Sequence, residues 1–187
     1  MSDQDHVVRR LPLTRRQFLC SSGLALAASF VNHPALALGA ASRTLSFVHT
    51  HTGEKLVATY SQGGCYLPQC LEQLSHFLRD FRTGETHAIA PGLLDTLFDL
   101  QVQADRDDVF QVISGYRSPQ TNAKLRGKSH GVAEHSMHME GRAIDIRLTG
   151  YPTRKLRDLA MSLQRGGVGY YASSDFVHVD TGRVRYW

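Results

Sequence analysis

Apolar positions follow two different periods along the chain, and the change from one to the other predicts the elements. SFVHT (46–50) and KLVATY (55–60) are β-rich runs flanking HTGE, which predicts a hairpin with a glycine in its turn. In the next segment Leu71, Leu74, Leu78 and Phe81 recur at helical spacing, and RTGET ends that helix. Pro91 opens a second helix, PGLLDTLFDLQVQA. The strand VFQVI (109–113) runs into Ser-Gly-Tyr-Arg-Ser-Pro, a strong turn former. From Pro119 to His135 the chain is mostly polar and reads as a loop. A strand, RAIDIRL, then a helix, TRKLRDLAMSLQR, and two short strands, VGYY and FVHVD, complete the chain. Strands and helices are mixed, with hairpins but no βαβ alternation. The expected class is therefore α+β, with a small, mainly antiparallel sheet flanked by helices.

The first residues stand apart from this pattern. TRRQFLC (14–20) is followed by the small, apolar stretch SSGLALAASFV and then by Ala35-Leu36-Ala37, an A-x-A cleavage pattern. Together these read as a secretory signal over residues 1–37, and Arg15-Arg16 give it a twin-arginine character. The address that follows is the periplasm. The apolar stretch is too short for an ordinary membrane span, so no stable insertion is expected once it is cleaved. Basic residues placed by chance before a buried helix are the alternative. Cys20 precedes the apolar region, which makes it a poor lipidation site.

Cleavage after Ala37 leaves a domain of residues 38–187. It also removes four arginines and two aspartates, so the formal +4 of the whole chain falls to +2. The basic balance then says little about nucleic acid, and none is expected as a partner. Cys65 and Cys70 alone remain after cleavage. In an exported protein they read either as a short-loop disulfide or as two free thiols. Spaced as C-x4-C, they are weak evidence for zinc.

The chemistry concentrates in histidines and carboxylates. The chain has no H-E-x-x-H, no G-x-S-x-G elbow and no phosphate loop, which sets aside thermolysin-like, serine-hydrolase and nucleotide chemistry. Three residues form a pattern instead. His138 sits in the loop entering RAIDIRL. Asp145 shares one face of that strand with Ala143 and Arg147, and His178 shares a face of FVHVD with Phe176 and Asp180. A carboxylate and a histidine in apolar strands are costly to bury unless paired or metal-bound. Two histidines and a carboxylate form a known catalytic zinc set that leaves a fourth position open. A His–Asp hydrogen bond within the sheet would satisfy the same residues, and spacing alone does not choose between them.

The ordered set Ser136-x-His138-x-x-Gly141-x-Ala143-x-Asp145, preceded by Ser114-Gly115-Tyr116-Arg117-Ser118 and followed by Phe176-Val177-His178-Val179-Asp180, resembles the D-Ala-D-Ala-metallopeptidase superfamily, which includes the Hedgehog signalling domain. More narrowly, THTGE, RDFRTGE, SGYRSP, the S-x-H-x-x-G-x-A-x-D core and HVDTGRVRYW are similar to the YcbK/MepK-type murein endopeptidases. The resemblance implies a D-Ala-D-Ala-peptidase-like fold and one Zn2+ per chain, held by His138, Asp145 and His178. It implies that Arg117 binds the substrate carbonyl or oxyanion; a solvent-facing turn arginine is the alternative. Gly141 is expected to let the backbone turn before the strand, with Ser136 supporting His138.

For the general base the match loosens. Members of the superfamily commonly carry Glu-x-Trp-His, where this chain has Asp175-Phe-Val-His178. Asp175 is the first candidate, with Asp180 and His135 behind it. His49, His51, His76, His87 and His130 have no matching partners and are expected at the surface or in the hairpin. Lys124, Arg126 and Lys128 form a basic stretch for which solvation is the default and wall-peptide carboxylates the functional alternative. The function implied is a zinc-dependent peptidase acting on peptidoglycan stem-peptide cross-links, those containing diaminopimelate in particular. The alternative is a non-catalytic zinc module that binds the wall or a protein.

Overall fold

A computed structural model describes residues 42–128 and 131–187. The signal segment with Arg15, Arg16 and Cys20, its cleavage site and His130 lie outside the described residues. The chain builds β1 (Arg43–His49), β2 (Lys55–Gln62), β3 (Cys65–Tyr66), α1 (Pro68–Phe77), α2 (Pro91–Gln103), β4 (Phe110–Ser114) and α3 (Pro119–Arg126). It continues with β5 (Ala143–Leu148), α4 (Thr153–Leu163), β6 (Gly167–Tyr171), β7 (Phe176–Asp180) and β8 (Arg185–Tyr186), with short 3₁₀ turns at Met137–Glu140 and Ala172–Ser174. All eight strands join one sheet in the order β3-β2-β1-β4-β5-β7-β6-β8.

The class is α+β, as the mixed pattern predicts. The sheet is larger than expected and mixed: β1 pairs with β4, and β6 with β8, in parallel, while the other pairs are antiparallel. The β1–β4 pair arises because β2, β3, α1 and α2 intervene between those strands, enough chain for a crossover. Helices α1, α2 and α4 pack against the sheet. Their Leu74, Leu93, Leu97, Leu100 and Leu156 join Ile144, Ile146, Val177 and Val179 in a single core cluster. Alternation therefore turns Asp145 and His178 to the other face of the sheet.

Three local expectations change. Helix α1 ends at Phe77, so Leu78 falls in the turn after it and Phe81 beyond; Leu78 is nonetheless fully buried. The polar stretch after Ser118 is not all loop. Ser118 caps α3 by accepting from the Thr121 amide, and Pro119 takes the first helical position. Finally, His49 lies at the hairpin, one of the two places expected for it, but is buried there, its Nδ1 accepting from the His51 and Thr52 amides. Among the described residues Cys65 and Cys70 are not joined and are free thiols.

Candidate metal centre

Strands β4, β5 and β7 lie side by side, and antiparallel pairing sets Asp145 opposite both Ser114 and His178. His138 reaches them from the 3₁₀ turn that precedes β5. That turn closes on Gly141 at φ +64°, where the backbone runs against the Ala88 carbonyl with no room for a Cβ. Gly141 therefore serves both the left-handed backbone and the close approach. Replacing it with alanine is expected to destabilise the fold by more than about 2 kcal/mol, which chemical denaturation would measure. An unchanged denaturation midpoint would mean the turn relaxes.

The three side chains converge. His138 Nε2 lies 3.2 Å from His178 Nδ1 and 3.3 Å from Asp145 Oδ1, and His178 Nδ1 lies 2.9 Å from the same oxygen. Outward-facing hydrogen bonds fix each ring. His138 Nδ1 donates to the Gly115 carbonyl at 2.7 Å, and His178 Nε2 donates to Asp180 Oδ2 at 3.0 Å. With those protons assigned outward, each ring turns a bare nitrogen inward. Two lone pairs and a carboxylate oxygen at such distances repel unless a positive charge sits among them. The residues therefore fit a divalent cation: two imidazole nitrogens and a carboxylate, all within 4.8 Å of one another, form a donor set suited to zinc. Carbonyl and carboxylate partners on the far side of ligand histidines are the usual support for such a centre.

Without metal, a proton supplies the charge. Burial alone would lower the His178 pKa, but the hydrogen bonds it donates to Asp145 and Asp180 push it up to about 9. Burial keeps His138 below its ordinary value. It would raise Asp145, yet the neighbouring imidazoles, His138 foremost, hold that carboxyl well below the usual range. Because the folded His178 pKa is raised, its contribution to metal-free stability is complete below about pH 6.5 and is lost as pH rises toward about 9. A zinc ion bound by these residues would have to displace this proton. Titration calorimetry at pH 7 in buffers of different ionisation enthalpy is expected to show about one proton released per zinc bound. Buffer-independent heats would refute the assignment.

Arg117 and Asp180 join this group. The Arg117 guanidinium donates from Nη2 to Asp145 Oδ2 at 3.4 Å, while its Nε is buried without a partner among the described residues. Its backbone is pinned by the His138 carbonyl, and buried Asp80 accepts from both the amide and the hydroxyl of Ser118 next along the chain. Burial lowers the Arg117 pKa against the pull of Asp145. Asp180 is fully buried and held below the usual carboxylate range; burial opposes this, but His178, Arg185 and two glycine amides bond to it. His135 is exposed on the rim of the same cleft, which encloses about 190 Å³.

Asp175, the first candidate for the base, is not brought to the cleft. It stands in the left-handed conformation at φ +50° in the turn before β7. Its carboxylate accepts from Thr153 Oγ1 at 2.6 Å and pairs with Arg147 at 3.5 Å, lining a separate groove. The left-handed turn, one residue before β7, directs the carboxylate to Thr153 and Arg147 instead of toward His178. Tyr171, Phe176, Arg185 and Trp187, to which the sequence assigned no role, form walls of the cleft. The Trp187 ring centroid lies 5.3 Å from that of His178, and Tyr171 stacks on Phe176. Phe176 lies in FVHVD and Arg185 and Trp187 in HVDTGRVRYW, but only the aromatic content of those segments and of VGYY hints at a wall.

Comparison with known proteins agrees with this arrangement. A family model described as peptidoglycan L,D-endopeptidase MepK matches residues 37–187. The chain is 42% identical over 175 residues to peptidoglycan L,D-endopeptidase MepK of Escherichia coli (strain K12), covering 92% of this chain and 96% of that one. It is 40% identical over 176 residues to the probable peptidoglycan L,D-endopeptidase MepK of Haemophilus influenzae, covering 92% and 95% respectively. Matched across the whole sheet and every residue of the cluster, the chain belongs to the peptidoglycan L,D-endopeptidase MepK family.

Proposed function

We propose that this chain is a zinc-dependent peptidase that hydrolyses amide bonds in peptidoglycan cross-link peptides, including those with diaminopimelate. The observation that carries the reading is the convergence of His138, Asp145 and His178 beside Arg117 in an open cleft. The names of the relatives point to a bond between an L- and a D-centre. A zinc ion held by the three residues would lower the pKa of water to about 7 and polarise the scissile carbonyl.

The chain's own residues do the rest. Arg117, whose buried Nε has no partner among the described residues, is preorganised to donate to the oxygen that gains charge. Asp180 holds the His178 ring with its Nδ1 aimed inward. His135, an exposed imidazole on the cleft lining, is the residue to which this reading assigns proton transfer to the leaving amine. Tyr171, Phe176 and Trp187 offer apolar walls against which a peptide can exclude water.

The displacement of Asp175 favours one rival, a zinc-holding module that binds wall peptides without cutting them. Purified protein incubated with sacculi, with and without chelator, separates the two. New muropeptides, abolished by chelator, with about one zinc per chain are expected. Zinc at that stoichiometry with no new muropeptides would establish the rival instead.

The twin-arginine signal supports export of the folded domain to the periplasm. Changing Arg15 and Arg16 together to lysine is expected to retain the protein in the cytoplasm on fractionation; unaltered export would count against that route.

A further inference from the structure

Strand β8 lies parallel to β6, with Arg185 opposite Gly167 and Tyr186 opposite Val168. The ladder continues through Trp187, whose amide donates to the Val168 carbonyl and whose carbonyl accepts from the Tyr170 amide. Strand β6 contributes glycine at the two positions the incoming side chains cross. A Cβ on Gly167 would lie 2.5 Å from the Arg185 guanidinium, and one on Gly169 2.6 Å from the Trp187 indole. The sheet gives up two side chains there to seat an arginine and a tryptophan against the metal centre.

Arg185 uses that room to grip Asp180. Its Nη2 donates to Oδ2 at 2.6 Å and its Nη1 to Oδ1 at 3.1 Å, a two-pronged pair on a fully buried carboxylate. The same Oδ2 accepts from His178 Nε2. The amides of Gly167 and Gly182 hold the remaining oxygen. The guanidinium also stacks over the Trp187 ring, 4.9 Å from its centroid, and that ring flanks His178.

We propose that Arg185 is a positioning residue for the metal centre: by fixing both oxygens of Asp180 it fixes the His178 ring and so the aim of Nδ1. This rests on the zinc-peptidase reading above. A purely structural arginine would neutralise a buried charge and change nothing else. A positioning arginine sets metal affinity as well, since groups that orient ligand histidines are worth about 10–100-fold in metal binding. Lysine in its place keeps the charge but loses the planar fork.

The test uses the wild-type chain with R185M, R185K and R183M, the last removing an exposed arginine of the same loop. Zinc affinity is read by competition with a chromophoric chelator well below the unfolding temperature. The visible spectrum of the cobalt-substituted protein and kcat and KM on a cross-linked muropeptide are recorded alongside. R185M is expected to bind zinc about 10–100-fold more weakly, with an altered cobalt spectrum and a lower kcat at unchanged KM. R185K should fall between R185M and wild type, and R183M should match wild type. Wild-type affinity and spectrum in R185M overturn the proposal, as does equal weakening in R183M. If R185M does not fold, the decision passes to R185K, where affinity and spectrum equal to wild type overturn it. A wild-type chain that neither binds zinc nor cleaves would sink the parent reading instead, so the two failures are distinguishable.

Discussion

His178→Ala is expected to leave the protein without stoichiometric zinc and to lower kcat/KM by at least about 10³, since a metal Lewis acid contributes several kcal/mol to the transition state. The residue carries two loads. Its Nδ1 is one of three inward donors, and its Nε2 donates to buried Asp180. Alanine removes a donor and leaves Asp145 and Asp180 each short of a partner in the sheet. The metal-free variant should therefore also be about 3–5 kcal/mol less stable than metal-free wild type near pH 7, the usual cost of stripping one partner from a buried charged group. The contrast with His135→Ala makes the result specific. That exposed side chain does not belong to the converging set, so its loss should leave zinc content intact while lowering kcat by about 10² or more, in the range of general acid–base catalysis. Zinc content by mass spectrometry and kinetics on muropeptides would check both. Full zinc in His178→Ala would remove it from the ligand set.

Why these residues were legible in the sequence is a matter of period. Asp145 lies between Ile144 and Ile146, and His178 between Val177 and Val179; the aliphatic residues fill the core, so the polar ones must face away on the same surface. Adjacent strands then bring them together, as the pairing of β5 with β7 does. Gly141 was equally legible, because a tight entry into β5 needs a residue free to take positive φ. Helix α3 was hidden for the opposite reason: PQTNAKLR carries almost no apolar stripe, and only its Ser118-Pro119 cap announces it. Asp175 was chosen by its match to the acidic position of Glu-x-Trp-His, and sequence position alone did not show that a left-handed turn before β7 hands its carboxylate to Thr153 and Arg147. The grip of Arg185 on Asp180 was out of reach, since β8 spans only two residues and shows no alternation to read. Buried Asp80 was missed in RDFRTGE because its partner, Ser118, lies 38 residues away.

Arg117→Ala is expected to keep its zinc and lose about 10²–10³ in kcat, the typical consequence of removing one preorganised donor to a developing oxyanion. The two halves of that prediction come from different features. Arg117 is not a donor to the cation, and its 3.4 Å contact with Asp145 Oδ2 is long, so metal content should survive its loss. Removing a cation beside Asp145 makes the carboxylate, if anything, a better partner for a metal. The loss of kcat follows from rigidity. Tyr116 donates to the Leu78 carbonyl, Arg117 to the His138 carbonyl and Ser118 to Asp80, so three successive amides fix the segment that presents the guanidinium. Gly115 completes the brace, since a Cβ there would lie 2.5 Å from the Leu78 carbonyl oxygen. A donor held this way needs no reorganisation when charge develops, which is the source of its advantage over water. Arg117→Lys retains the charge without the fork and should recover only part of the rate. Because the interaction strengthens as the carbonyl oxygen gains charge, KM should move little in either variant. A large rise in KM with kcat preserved would reassign Arg117 to ground-state binding of a substrate carboxylate, and loss of zinc in Arg117→Ala would reassign it to support of Asp145.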